Sequence, residues 1–107
     1  MEEAQVIQAV QRMQEYIEMH LHRKITLKEL ANVAGYSSWH AARLFKEVTG
    51  KPPFDYIRTL RLTQAALLLR DGEVKIIDVA MDFVFDSHEG FTRAFSREFG
   101  MAPSKYG

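Results

Sequence analysis

The chain has 107 residues, 47% hydrophobic and 26% charged, which suits one compact domain or two very small ones sharing a connector and is too apolar for a disordered chain. It contains no cysteine, which excludes disulfides, thiolate zinc sites and thiol nucleophiles. Acidic and basic side chains balance at 14 each, a neutrality that by itself speaks against a nucleic-acid partner.

No apolar run approaches the roughly 18 residues of a membrane span. The N-terminus, MEEAQVIQAV, lacks the basic start and apolar centre of a secretory signal. A soluble cytoplasmic protein with no membrane partner is the expectation. The charge is unevenly placed: in residues 1–18, Glu2, Glu3, Glu15 and Glu18 stand against Arg12 alone, so the remainder carries a surplus of three basic groups.

Helical periodicity dominates, and Gly and Pro together number only nine. The first segment, about 4–21, places Val6, Val10, Met13 and Ile17 on one amphipathic stripe. Thr26 with Glu29 reads as a capping box opening the short helix LKELANVA, which stops at Gly35. Ser37 caps the next helix, which runs through Trp39 to about Thr49 and ends at Gly50. Pro52 and Pro53 break the chain, and Pro53 suits the first turn of a helix running to about Arg70, stopped by Asp71 and Gly72. Ile76–Phe83 reads as another short helix. Ser87 caps the last one, His88–Phe99, closed by Gly100, and Met101–Gly107 reads as a tail.

The chain repeats itself. A shift of 50 superposes Ser37 on Ser87, Arg43 on Arg93, Phe45 on Phe95, Pro53 on Pro103 and Tyr56 on Tyr106. Upstream the shift is 49, laying Leu27, Leu30, Ala31 and Tyr36 on Ile76, Val79, Ala80 and Phe85, so the second copy has one extra residue in its turn. Two copies do not make a solenoid; two helix-turn-helix units fit the pattern. The predicted architecture is all-α, with about seven helices. A first subdomain spans about 4–51 with its helix-turn-helix at 26–50, and a connecting helix spans about 53–70. A second subdomain spans about 73–107 with its helix-turn-helix at 76–100.

In the first unit Ala41, Leu44, Phe45 and Val48 form the stripe predicted to be buried, opposite Trp39, Ala42, Arg43 and Lys46. In the second, Phe91, Ala94 and Phe95 are predicted inside, opposite Glu89, Thr92, Arg93 and Ser96. Tyr56, Phe83, Phe85 and the other phenylalanines are expected in the core. An outward face of Trp, Arg, Thr and Ser is what groove reading uses: Arg pairs bidentately with guanine, and Thr or Trp packs on thymine methyls. Serines at the helix starts can donate to phosphate where the helix N-terminus already favours anions. A connecting helix of about 17 residues is roughly 25 Å long. That would hold the two second helices some 30 Å apart, close to the roughly 34 Å turn of B-DNA that a dimer normally spans with two subunits.

ITLKELANVAGYSSWHAARLFKEVTGKPPFDYIRTLRLTQAALLL followed by IIDVAMDFVFDSHEGFTRAFSREFGMAPSKYG resembles the AraC/XylS DNA-binding domain, most closely its MarA/Rob-like group. The most specific parts are AGYSSWHAARLFKEVTG and SHEGFTRAFSREFGMAPSKY, and the match covers residues 5–106. The resemblance implies a bacterial transcription regulator, usually an activator, with no cofactor. It implies a monomeric domain on asymmetric promoter sites, with RNA polymerase as a further partner. It places Trp39, Ala42 and Arg43 of the first unit, and His88, Glu89, Thr92 and Arg93 of the second, on base-reading positions. The phosphate contacts expected beside them are Ser37, Ser38, Lys46, Lys51, Ser87, Ser96 and Arg97. The chain stops close to where members with an appended effector domain continue, which points to a piece of a longer regulator.

Three residues depart from the family pattern. Val84 stands where the family usually has Gly before Phe85; a β-branched residue resists positive φ, so that turn must be strained or differently shaped. Glu89 puts a carboxylate on the presumed DNA face, able to accept from cytosine N4 but repelling phosphate. Ala42 occupies a position that is often polar. Two readings of Trp39 stay open, a groove contact or partial burial in its own unit, and Arg58 and Arg61 either pair with an acid or touch phosphate. His20, His22, His40 and His88 lie too far apart or on different faces for a metal site. No GxSxG, HExxH or phosphate loop is present, so an enzyme is not expected. The rival reading is a helical protein-interaction module that has lost sequence-specific DNA binding.

Overall fold

The computed structural model describes residues 2–106. Among them are seven helices and no strand: α1 (Glu3–Met19), α2 (Leu27–Ala34), α3 (Ser38–Thr49), α4 (Pro53–Asp71), α5 (Ile76–Asp82), α6 (His88–Phe99) and α7 (Pro103–Tyr106). The chain divides into two compact units, Met1–Ile57 and Arg58–Gly107, so the division falls inside α4.

In the first unit α1, α2 and α3 pack against one another. The α1 stripe buries Ala9, Val10, Met13 and Ile17, α2 buries Leu30, Ala31 and Ala34, and α3 buries Ala41, Leu44 and Phe45. The α2 N-terminus is closed by the expected capping box: Glu29 N donates to Thr26 Oγ1 at 3.2 Å and Thr26 N donates to Glu29 Oε1 at 3.1 Å. Two ties bind this helix to the chain before it. Arg12 of α1 donates from Nε to the Val33 carbonyl at 3.2 Å and from Nη2 to the Ala34 carbonyl at 3.0 Å, a cation on the negative end of α2. Glu29 Oε2 accepts from Arg23 Nη2 at 2.6 Å and from the Tyr16 hydroxyl at 2.5 Å. The Arg23 guanidinium, then the Tyr16 hydroxyl, hold the Glu29 carboxyl well below the usual carboxylate range.

The second unit buries Leu62, Ala65, Ala66 and Leu69 of α4, Val79 and Ala80 of α5, and Phe91 and Phe95 of α6. Its core is markedly aromatic: Phe91 meets Phe85 edge-on at 5.1 Å between centroids, and Phe95 meets Phe99 at 4.7 Å. The repeat extends to contacts. Phe45 packs edge-on against Tyr56 at 5.1 Å in one unit, and Phe95 against Tyr106 at 5.4 Å in the other.

Several expectations need correction. The predicted tail contains α7, which repeats the first turn of α4: Pro103 starts it as Pro53 starts α4, and both prolines are buried. α1 ends at Met19, which is 80% exposed, rather than near residue 21. Val48, predicted inside, is 43% exposed, and Phe54, predicted in the core, is 45% exposed. Val6 and Ala94 are half-buried. Phe83 is buried as expected, whereas Phe85 and Phe99 are half-buried.

Candidate nucleic-acid interface

Each unit carries a short helix, a tight turn and a longer helix, and the two turns are closed the same way. In the first, Gly35 takes the left-handed conformation at φ 81° and Tyr36 N donates to the Ala31 carbonyl at 3.1 Å. In the second, Phe85 N donates to the Ala80 carbonyl at 3.0 Å, and Val84 sits at φ 67°, the only positive φ of a non-glycine among the described residues. The second turn is therefore strained rather than reshaped: the six-residue closure is kept, and a β-branched residue occupies the glycine position.

The longer helices start on serines, as predicted. Ser37 Oγ accepts from His40 N at 3.2 Å, and Ser87 Oγ accepts from Gly90 N at 3.0 Å. Capping uses an acceptor site of each hydroxyl, so the hydroxyl proton can still donate to a phosphate oxygen.

On α3, Trp39, Arg43 and Lys46 are exposed and Ala42 is half-buried. Trp39 is 65% exposed, which decides against burial in its own unit. The Arg43 guanidinium lies over the Trp39 ring, 5.2 Å from its centroid, and Nε donates to Glu47 Oε1 at 3.1 Å. The stack and the bond hold the guanidinium on the outer face. Within the described residues Nη1 and Nη2 make no hydrogen bond, so the edge with which a guanidinium can pair with a base or phosphate stays available. Glu47 was not among the sequence candidates, although an Arg with Glu four residues on is a readable helix pair.

On α6, His88, Glu89 and Arg93 are exposed, and so is Arg97. Thr92 departs from expectation. It is half-buried, and its hydroxyl oxygen is enclosed with no hydrogen-bond partner, so that oxygen is not on offer to a base. Of the remaining phosphate candidates, Lys51 and Ser87 are exposed while Ser38 and Ser96 are half-buried. Among the described residues no group of three or more His, Asp or Glu is placed to hold a metal ion, and no helix is long and apolar enough to cross a membrane.

Comparisons with known proteins converge on one family. A family model described as a helix-turn-helix domain matches residues 30–107. The chain is 43% identical over 91 residues to the right origin-binding protein of Escherichia coli strain K12, covering 85% of this chain and 32% of that protein. It is 39% identical over 99 residues to the regulatory protein SoxS of Salmonella typhimurium, covering 92% of both. The chain thus spans about a third of the length of the first relative and nearly all of the second. A solved structure of a probable AraC family transcriptional regulator from Rhodopseudomonas palustris matches at TM-score 0.84 and 30% identity, over 92% of this chain and 94% of that one. The DNA-binding domain of the transcriptional factor AdpA, solved in complex with a target DNA, matches at TM-score 0.84 and 28% identity, over 92% and 88%. With its two serine-capped helices, its turn closures and these relatives, the chain belongs to the AraC-type helix-turn-helix family of transcription regulators, within its MarA/Rob-like group.

Proposed function

We propose that this chain is the DNA-binding part of a bacterial transcription regulator, an activator working in the cytoplasm, that inserts α3 and α6 into successive major grooves of an asymmetric promoter site. The observation that carries this reading is duplication: an exposed arginine, Arg43 or Arg93, stands at the same place on a serine-capped helix in each unit. In this reading Trp39, Ala42 and Arg43 read one half-site, and His88, Glu89, Arg93 and the outward part of Thr92 read the other. Ser37, Ser38, Lys46, Lys51, Ser87, Ser96 and Arg97 hold phosphates and supply most of the affinity. The chain acts as a monomer, without cofactor or catalysis, and RNA polymerase is its further partner.

The test is selection of bound duplexes from a random library, followed by Arg43→Ala and Arg93→Ala. Each substitution is expected to relax base preference in its own half-site, since a bidentate Arg–guanine pair discriminates by roughly 1–3 kcal/mol. If both variants distinguish selected from scrambled duplexes as the parent does, the assignment of these arginines fails. The exposed Glu89 and the net charge of zero favour the rival, a protein-interaction module. The two readings separate on salt: affinity for DNA should fall steeply between about 50 and 200 mM.

A further inference from the structure

The matching faces of α3 and α6 border clefts of opposite chemistry. In the first unit Leu44, Glu47 and Val48 of α3 face Glu3, Val6 and Ile7 of α1 across an acidic and apolar groove. In the second, Arg93, Arg97 and Glu98 of α6 share a cleft of about 450 Å³ with Arg58, the first residue of that unit, over a floor that includes Leu62. The shift of 50 lays Glu47 on Arg97. Arg43 therefore has a carboxylate one helical turn on, and is tied to it, whereas Arg93 has another guanidinium there.

Arg58, Arg93 and Arg97 line this cleft together with one carboxylate, that of Glu98, and Arg93 and Arg97 stand one helical turn apart on α6. Like charges one turn apart repel, and an anion between them removes the penalty. Guanidinium groups bind phosphate through paired N–H donors, and Arg58, Arg93 and Arg97 are all exposed enough to turn toward one. The occupant follows from the neighbour: the cleft shares Arg93 with the base-reading stripe, so a phosphate seated there belongs to the strand whose bases α6 reads.

We propose that Arg58 and Arg97 form a seat for one DNA backbone phosphate beside α6, next to the base-reading Arg93, so that the second unit is anchored from α4 as well as from its helix-turn-helix. This rests on the DNA-binding reading above and extends it to α4, outside both helix-turn-helix motifs. In its consequence the second unit gains a sequence-independent hold in addition to the phosphate contacts of its own helix-turn-helix.

The experiment measures affinity for a library-selected duplex and for a scrambled one, between about 50 and 200 mM salt. Arg58→Gln is expected to weaken both duplexes by the same factor, about tenfold at the low-salt end, and to lower the salt slope by about one. Arg58→Lys should keep most of the affinity. Circular dichroism verifies that the variants fold; if Arg58→Gln does not, Arg58→Met, which keeps the aliphatic stem and loses the charge, takes its place with the same expected slope change. Unchanged affinity and slope in the folded variant, while Arg43→Ala still relaxes base preference, would overturn the seat and leave DNA reading intact. If the parent itself binds no duplex in a salt-dependent way, the underlying reading fails instead. Inorganic phosphate supplies the last arm. Should it raise the melting temperature of the parent but not of Arg58→Gln, with duplex affinity the same in both, the cleft takes a free anion and the backbone seat is refuted.

Discussion

Val84 carries backbone strain that can be measured by substitution. At φ 67° an L-residue costs roughly 1–2 kcal/mol relative to right-handed backbone, and branching at Cβ adds to that. Val84 is also half-buried, so trimming it forfeits about 1 kcal/mol of apolar contact, half of what full burial supplies. Val84→Ala loses the contact and keeps the strain. Val84→Gly loses the same contact and relieves the strain, less roughly 0.5–1 kcal/mol for the added freedom of the unfolded chain. The glycine variant should therefore exceed the alanine variant by about 0.5–1 kcal/mol and lie close to the parent. That order is the reverse of the one found in right-handed helix. Gly35→Ala provides the matching control: a Cβ there meets nothing within 4 Å, so any loss reports backbone conformation alone. Urea and thermal unfolding followed by circular dichroism resolve these differences, since 1 kcal/mol moves the midpoint by roughly 4–8 °C in a domain of this size. An alanine variant as stable as the glycine variant would mean that residue 84 is not left-handed in solution.

Three further substitutions test packing and electrostatics within the two units. Thr92→Val removes an enclosed hydroxyl without a partner at nearly constant volume, and should stabilise the second unit by about 1 kcal/mol in urea unfolding; a loss of similar size would show that the hydroxyl is satisfied in solution. Tyr106→Ala removes the edge-on partner of Phe95 and should cost about 1–2 kcal/mol, read as a lower unfolding midpoint; an unchanged midpoint would remove α7 from the core. Glu29 has a carboxyl pKa below its ordinary 4.5 in the folded state, so the stability it contributes is present above that pH and is lost as the pH falls further. Glu29→Gln should flatten the acid limb of the stability curve, and parallel curves for variant and parent below pH 4.5 would show that the contact with Arg23 and Tyr16 is not kept in solution.

Much of this protein follows from short-range rules. Thr26, Ser37 and Ser87 mark helix starts because their side chains bond backbone amides only three residues on, and such bonds are written in adjacent sequence. The apolar spacing of Val10, Met13 and Ile17, or of Ala41, Leu44 and Phe45, names a buried face without reference to what covers it. The shift of 50 even foretold α7, since Pro103 and Tyr106 copy Pro53 and Tyr56; reading the segment as a tail ignored that correspondence. Val84 was legible as a conflict, though not in which direction it would resolve.

What only the tertiary structure decided is which faces meet. Arg12 caps the carbonyls of α2, and Arg23 and Tyr16 converge on Glu29, because α1 and α2 cross there; nothing in local periodicity sets that crossing. Val48 continues an apolar stripe yet stands exposed, and Thr92 lies on the polar stripe yet hides its hydroxyl, because a stripe gives direction around a helix axis and not the reach of the neighbour. The gathering of Arg58 with Arg93 and Arg97 belongs to the same class: Arg58 lies 35 or more positions from the other two, and only the fold of the second unit brings it to their cleft. Helical identity arises from contacts within four residues, whereas a side chain's exposure and partners arise from contacts that the chain makes only after it has folded back on itself.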